Sequence, residues 1–393
     1  MTIFLVSFLA VYGLVHLYFF LKFRRAFSPS RPLRRTVLLL LLLLLLSPIL
    51  VRFIEVWGYE GPARILAYLG YGWMALLFSY FAFSLTIDLL RLVRHRPKRH
   101  NVFRRETKTF PFRAVFLVAC LYSVSVYVWG YFEALDIRTE RITIASPKLP
   151  QGAQPIKIAQ ISDVHLGLIV REKRLERILE VVRREQPDLL VVTGDLVDGR
   201  IAPLKPDWSE APKLARMLQE INPPLGKFSV IGNHEYYAGL DQALCFSRAA
   251  GFQVLRGEQV TLGDHLAVVG IDDPAGAKRA GTAIPDERPL LAKTDRTRFV
   301  LLLKHQPLIK PGVEGLFDLQ LSGHVHKGQI FPFNFLTWAS YRIRCGLTEL
   351  KQGSRLYTSR GTGTWGPPVR FLAPPEVTVI TLTPAAPSSP DAR

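Results

Sequence analysis

Phe228-Ser229-Val230-Ile231-Gly232-Asn233-His234-Glu235 is the stretch on which the reading of this chain turns. A short run of strand-forming residues stops at a glycine. Three side chains able to bind a metal or move a proton then follow in succession. A run of this length bounded by a turn residue fits a buried strand. Asn233, His234 and Glu235 would then emerge at its carboxyl end.

The same arrangement recurs on both sides. Ile156-Lys157-Ile158-Ala159-Gln160-Ile161 leads to Asp163-Val164-His165, and Leu189-Leu190-Val191-Val192 leads to Gly194-Asp195. Phe299-Val300-Leu301-Leu302-Leu303 leads to His305, and Leu316-Phe317-Asp318-Leu319-Gln320-Leu321 leads to Gly323-His324-Val325-His326. Helical patterns over 171–186 and 206–221 separate the first three runs, which predicts βαβ units. Open α/β sheets place their ligands outside the carboxyl ends of strands. Taken singly, Asp-x-His is common and Gly-Asp is often only a turn. Gly-His-x-His says more, because alternation along an extended segment puts both imidazoles on one side. Five such endings in order outweigh the separate structural readings. His165, His234, His305, His324 and His326 fall in these motifs. His16, His95, His100 and His265 do not, and are given no catalytic role.

The N-terminal third differs. Of 393 residues with a formal charge of +18, residues 1–150 hold 20 basic and 7 acidic side chains, so most of the excess lies there. Four apolar stretches, 3–23, 36–54, 65–90 and 114–132, approach the roughly 20 residues that span hydrocarbon as a helix. The second contains the leucine run 38–46 and reaches full length only by passing Pro48. A cleaved leader is a poorer account of the first, which lacks a basic start and is followed by three more. The first connection carries Lys22, Arg24, Arg25, Arg31, Arg34 and Arg35, and the third carries Arg91, Arg94, Arg96, Lys98, Arg99, Arg104, Arg105, Lys108 and Arg113. The second balances Arg52 and Arg64 with Glu55 and Glu60. The positive-inside rule then puts the first and third loops in the cytoplasm and everything after residue 132 outside. An integral membrane protein with an extracytoplasmic C-terminal domain is expected. The basic runs lie between spans with little aromatic interleaving, so topology and anionic lipid explain them better than nucleic acid does. Residues 133–154 read as a linker, 155–383 as the second domain and 384–393 as a disordered tail. Cys120, Cys245 and Cys345 are too few for a disulfide scaffold or a multi-cysteine zinc module.

The five motifs Asp163-x-His165, Gly194-Asp195, Gly232-Asn233-His234-Glu235, His305 and Gly323-His324-x-His326 resemble those of the calcineurin-like metallophosphoesterase superfamily, over about 156–382. The closing Arg360-Gly361-Thr362-Gly363-Thr364-Trp365-Gly366-Pro367-Pro368-Val369-Arg370 and Pro375-Glu376-Val377 resemble a bacterial membrane-associated branch. Many members of the superfamily have Gly or Ala after the last histidine, where Lys327 stands here. The resemblance implies a four-layer α/β/β/α sandwich after the four transmembrane helices, with strands near 266–271, 356–359 and 377–382 in the second sheet. It implies two divalent ions, such as Mn, Fe or Zn. One would be held by Asp163, His165, Asp195 and His326. The other would be held by Asp195, Asn233, His305 and His324, so that Asp195 bridges. Mixed N/O ligation suits these ions, with no thiolate to force zinc. A metal pair neutralises phosphate charge and acidifies a water.

The resemblance gives His234 the leaving oxygen, and Asp198 the task of orienting His234. Arg360 and Arg370 are candidate phosphate contacts. The aromatic stretch 330–338 reads either as core or as an apolar lid beside the metals. The expected reaction is hydrolysis of a phosphomonoester, phosphodiester or pyrophosphate, with membrane tethering favouring a lipid-linked or envelope-derived substrate. Two alternatives are kept. One is a pyrophosphatase of the UDP-2,3-diacylglucosamine type, whose cytoplasmic substrate conflicts with the predicted side. The other is a metal-binding sensor or scaffold without catalysis.

Overall fold

A computed structural model describes residues 2–94, 111–200, 211–280 and 285–386. The chain divides into two compact units, 1–132 with 366–371, and 133–365 with 372–393.

The first unit is built on α1 (Thr2–Phe27), α2 (Arg31–Val56), α3 (Glu60–Arg94) and α4 (Phe112–Glu133). All four are long and apolar enough to cross a membrane. α2 runs unbroken through Pro48. Aromatic packing joins the helices, with Tyr80, Phe116 and Ala119 buried among Phe19, Phe23 and Phe27. Several polar groups on these helices find partners, which an apolar solvent favours. Trp73 Nε1–H donates to His16 Nε2 at 3.0 Å, the Ser123 hydroxyl donates to the Leu76 carbonyl, and Lys22 pairs with Asp88 at 2.5 Å. The basic loop expected after α3 lies largely outside the described residues, at 95–110.

In the second unit the strands in chain order are β1 (Arg138–Ser146), β2 (Ile156–Ile161), β3 (Leu166–Gly167), β4 (Leu189–Thr193), β5 (Val197–Asp198), β6 (Lys227–Val230), β7 (Gln253–Val254), β8 (Glu258–Leu262), β9 (Leu266–Ile271), β10 (Phe299–Lys304), β11 (Leu319–Ser322), β12 (Gly346–Glu349), β13 (Arg355–Thr358) and β14 (Glu376–Pro384). They form two six-stranded sheets, ordered β1-β14-β2-β4-β6-β7 and β12-β13-β11-β10-β9-β8, and a small β3-β5 pair. β2, β4, β6 and β7 run parallel, as do β13, β11, β10 and β9, so the motif-bearing ends of each set point the same way.

The sheets face each other. Ile158, Leu189, Val191, Phe228, Leu301, Leu303, Leu319, Leu321 and Ile380 form part of one buried core between them. Each such side chain contributes roughly 1.5–3 kcal/mol relative to exposure. The alternate residues Ala159, Ile161, Leu190 and Val192 are also buried, on the opposite face of the first sheet. α5 (Glu172–Glu185) and α6 (Lys213–Gln219) bury Leu175, Ile178, Leu179, Val182, Leu214, Ala215 and Leu218. On α5 these recur at helical spacing, which gives one apolar stripe. The outer face of the second sheet packs Val269, Val300 and Leu302 against Leu291, Val313 and Phe317. The remaining helices are α7 (Asn233–Ala238), α8 (Leu240–Ala249), α9 (Pro274–Ala280), α10 (Arg288–Lys293) and α11 (Asn334–Tyr341). The architecture is the expected four-layer α/β/β/α sandwich.

Three expectations need correction. Residues 133–154 are not simply a linker, since 138–146 form β1, an edge strand parallel to β14 in register Arg138↔Glu376. Its charges at Arg138, Glu140 and Arg141 mask a strand that alternates correctly only from Ile142 onward. Residues 377–382 belong to the first sheet, not the second, where β14 pairs antiparallel with β2. Pro384, expected in the tail, still ends β14, and 387–393 lie outside the described residues. Of the helix expected over 206–221, 206–210 also lie outside, and α6 covers Lys213–Gln219. All three cysteines are free.

Candidate metal centre

Each motif directly follows a strand: Asp163 and His165 after β2, Asp195 after β4, Asn233 and His234 at the start of α7 after β6, His305 after β10, and His324 and His326 after β11. These turns are unusual in backbone. Asp163, His165, Asp195, His324 and His326 all have positive φ, between 47° and 70°. Non-glycine residues rarely adopt this region, and such strain gathers at functional sites when the surroundings hold it. Lys327 has φ 50° too, a conformation that glycine adopts more readily. Two glycines permit the approach of the turns. Gly194 has φ 89°, and a Cβ there would lie 2.6 Å from His305 Nδ1. A Cβ on Gly323 would lie 2.0 Å from Ser162 Oγ and 2.2 Å from Asp163 Oδ2.

The turns bring six donor side chains around a seventh, Asp195. On one side Asp163 Oδ1 lies 3.3 Å from His326 Nε2, His326 Nε2 lies 3.0 Å from His165 Nε2, and His165 Nε2 lies 3.8 Å from Asp195 Oδ2. On the other, His305 Nε2 lies 3.1 Å from both Asp195 Oδ2 and Asn233 Oδ1, and 3.0 Å from His324 Nδ1. Asp163-His165-His326 and Asp195-His305-His324 are each compact enough to hold an ion. Asp195 belongs to both neighbourhoods. Six of the seven side chains are buried, Asp163, Asp195 and His305 almost completely, and His324 is half-buried.

The surroundings orient these donors. His305 Nδ1–H donates to the Thr193 carbonyl at 2.8 Å, which fixes the ring with Nε2 toward Asp195. Asp163 accepts from the Ser162 hydroxyl at 2.6 Å and from the His324 amide at 3.0 Å. Among the described residues His165 Nδ1 is buried with no hydrogen-bond partner, while its Nε2 faces another imidazole nitrogen. Packed lone pairs without enough protons between them fit a centre made for cations.

The electrostatics follow from this crowding. Burial opposes ionisation of Asp163 and Asp195, yet His326 beside the first and His305 beside the second hold both carboxyls below the usual range. Burial and the neighbouring His234 lower His165 to about 3, and burial and His305 lower His324 to about 4. Both stay neutral and able to ligate near pH 7.

His234 stands at the rim. Its amide donates to Asp195 Oδ1 at 2.8 Å, and its Nδ1 lies 3.0 Å from Asp198 Oδ1. Burial opposes its charge, but Asp195 and Asp198 raise it to about 9. Its ring meets those of Tyr237 and Trp365 edge-on, with centroids 5.4 and 5.8 Å away.

Glu235 carries a role that the sequence reading left unassigned. Its carboxylate accepts four backbone amides: Asp195 at 3.0 Å, Leu196 at 2.7 Å, Val197 at 3.1 Å and Gly232 at 2.8 Å. It therefore ties the turn after β4 to the turn after β6. The only sequence signal was its place in the Gly-Asn-His-Glu run.

Arg360 and Arg370 do not behave as the expected phosphate contacts. Arg360 is engaged by Glu140 and by Glu376, the latter at 2.6 Å. Arg370 belongs to the helical unit, where it is fully buried and its amide donates to the Gly130 carbonyl at 2.8 Å. The stretch 330–338 is largely not core, since α11 buries none of its residues.

Comparison with known proteins gives the same picture. Residues 156–328 match the family model described as calcineurin-like phosphoesterase. A protein of Aquifex aeolicus named as an uncharacterized metallophosphoesterase is 44% identical over 261 residues, which cover 66% of this chain and 97% of that one. A Campylobacter jejuni protein of similar name is 30% identical, over 78% of each chain. A Danio rerio protein named transmembrane protein with metallophosphoesterase domain is 28% identical, over 79% of this chain and 71% of its own.

Proposed function

Given that the chain belongs to the calcineurin-like metallophosphoesterases and is a metal-dependent hydrolase, we propose that it is a membrane-anchored enzyme with a binuclear centre, cleaving a phosphomonoester, phosphodiester or pyrophosphate on the extracytoplasmic side. The observation that carries this reading is the convergence of six donors on a seventh, the shared Asp195 carboxylate. One ion is assigned to Asp163, His165, Asp195 and His326, and the other to Asp195, Asn233, His305 and His324. Bound there, Mn, Fe, Zn or a similar pair supplies charge neutralisation at phosphate oxygens and a more acidic water.

The chain's own residues do the rest. His234 is charged near neutral pH in the metal-free protein and offers the ring nitrogen not engaged by Asp198. As the bond from phosphorus to the leaving oxygen breaks and water oxygen joins phosphorus, His234 gives its proton to the leaving oxygen. Asp198 fixes the ring and favours its charged form. Glu235 keeps the Asp195 and Asn233 turns in register. The side of the membrane follows from the lysines and arginines of the first and third loops.

The test is hydrolysis by the purified, metal-loaded chain across aryl phosphates, bis-aryl phosphodiesters and pyrophosphates. Activity on at least one class is expected, together with its loss in Asp195→Asn. Two bound ions with no turnover of any class would support a sensor instead. Full activity in Asp195→Asn would refute the shared-ligand assignment.

A further inference from the structure

α11 has no buried residue. Phe335 is 62%, Leu336 58% and Trp338 48% exposed, and Phe333 beside them is also exposed. A large aromatic and aliphatic face turned to water is unfavourable unless something covers it. The helix is nonetheless attached to the centre. Its last residue, Tyr341, sets its ring edge-on to His324 with centroids 5.4 Å apart, and the chain enters α11 a few residues after His326.

The charge around this face has one sign. Lys327, Arg342 and Arg344 are exposed, and residues 327–348 contain no Asp or Glu. Arg342 is the left-handed residue that ends the helix. Trp, Phe and Leu flanked by arginines are the composition of segments that lie at a membrane surface, where apolar side chains enter the acyl boundary and cations meet lipid phosphates. The four spanning helices already place this chain in a bilayer. A second copy covers the face less well. A two-fold contact through α11 would bring the three cations of each copy together, with no acid in the segment to offset them.

We propose that α11 is an interfacial helix whose Phe335, Leu336 and Trp338 enter the bilayer surface, and that the centre takes the phosphoester of a lipid whose tail stays in that bilayer. The substrate half rests on the phosphoesterase reading above, and the docking half does not.

Both halves are tested on the full-length, metal-loaded chain in phosphatidylcholine vesicles containing phosphatidylglycerol. Spin labels are placed at Leu336→Cys and, as an aqueous control on exposed β8, at Glu258→Cys, with the three native cysteines changed to serine. The label at 336 should collide severalfold more with oxygen relative to a water-soluble nickel chelate than the label at 258. Equal access to the chelate at both sites would overturn the docking. Dipolar broadening between labels at 336, indifferent to lipid, would also overturn it and identify a contact between copies. In Phe335→Ser/Leu336→Ser/Trp338→Ser, the ratio of turnover on vesicle phosphatidic acid to turnover on p-nitrophenyl phosphate should fall at least tenfold. An unchanged ratio with a lipid-facing label would overturn the substrate half alone. No turnover of any phosphoester by the parent chain, with a lipid-facing label, would sink the enzyme reading and leave the docking intact.

Discussion

His234 owes its charge to two carboxylates, and that dependence is measurable. In the metal-stripped protein it is raised to about 9 from an ordinary 6.5. A histidine raised in the folded state adds stability that is complete below 6.5 and lost as pH rises through about 9. His165, held at about 3, acts in the opposite sense, and its contribution is lost as pH falls below 6.5. Asp198→Asn should lower the His234 value seen by NMR titration and flatten the loss of stability on the alkaline side. In the loaded enzyme the same change should reduce turnover by about 10–100-fold, as for a group that orients another. His234→Gln should reduce kcat by about 10²–10⁴-fold on esters with alkoxide leaving groups. The loss should be much smaller on p-nitrophenyl esters, which need little help from an acid. Equal losses on both would argue against a role at the leaving oxygen. Glu235→Ala would leave four amides without their acceptor, each worth about 1–3 kcal/mol when buried and unpaired. Thermal unfolding should register a large destabilisation, with reduced metal content.

At the scale of elements, the site is a set of turns that only their neighbours make tolerable. Gly323→Ala would push a methyl into Ser162 and Asp163. The expected outcome is loss of bound metal by elemental analysis while the far-UV circular dichroism stays close to that of the parent. Legibility in the sequence follows the same division. The strands β2, β4, β6 and β10 are apolar runs bounded by turn residues, so their ends and the donors on them could be read directly. β1 could not, because an edge strand keeps charges on its open side and shows little apolar alternation. β14 was legible as a strand but not as a member of the first sheet, since pairing across so long a separation leaves no local trace. Glu235 was visible as a residue. Its service to four amides needed the two turns to be seen together. Arg360 looked free in the sequence because Glu140 and Glu376 lie far from it along the chain.

For the molecule as a whole, the loop charges make a prediction about sidedness. A cysteine introduced at exposed Glu258 should react with a membrane-impermeant maleimide in intact cells, and protection until lysis would reverse the assigned orientation. Chelation should lower the melting temperature of the second unit, because ions bound only by the folded state stabilise it by mass action. One further consequence lies in the order β1-β14-β2. β1 follows closely on the last span, yet its pairing partner in the sheet is β14, in the register Arg138↔Glu376. A nascent polypeptide leaving the ribosome would thus expose β1 and the flank of β2 until the chain had been synthesised as far as β14. A premature stop ahead of 376 would discard the strand that joins β1 to the rest of that sheet rather than trim a dispensable end, and cellular proteases should clear the product.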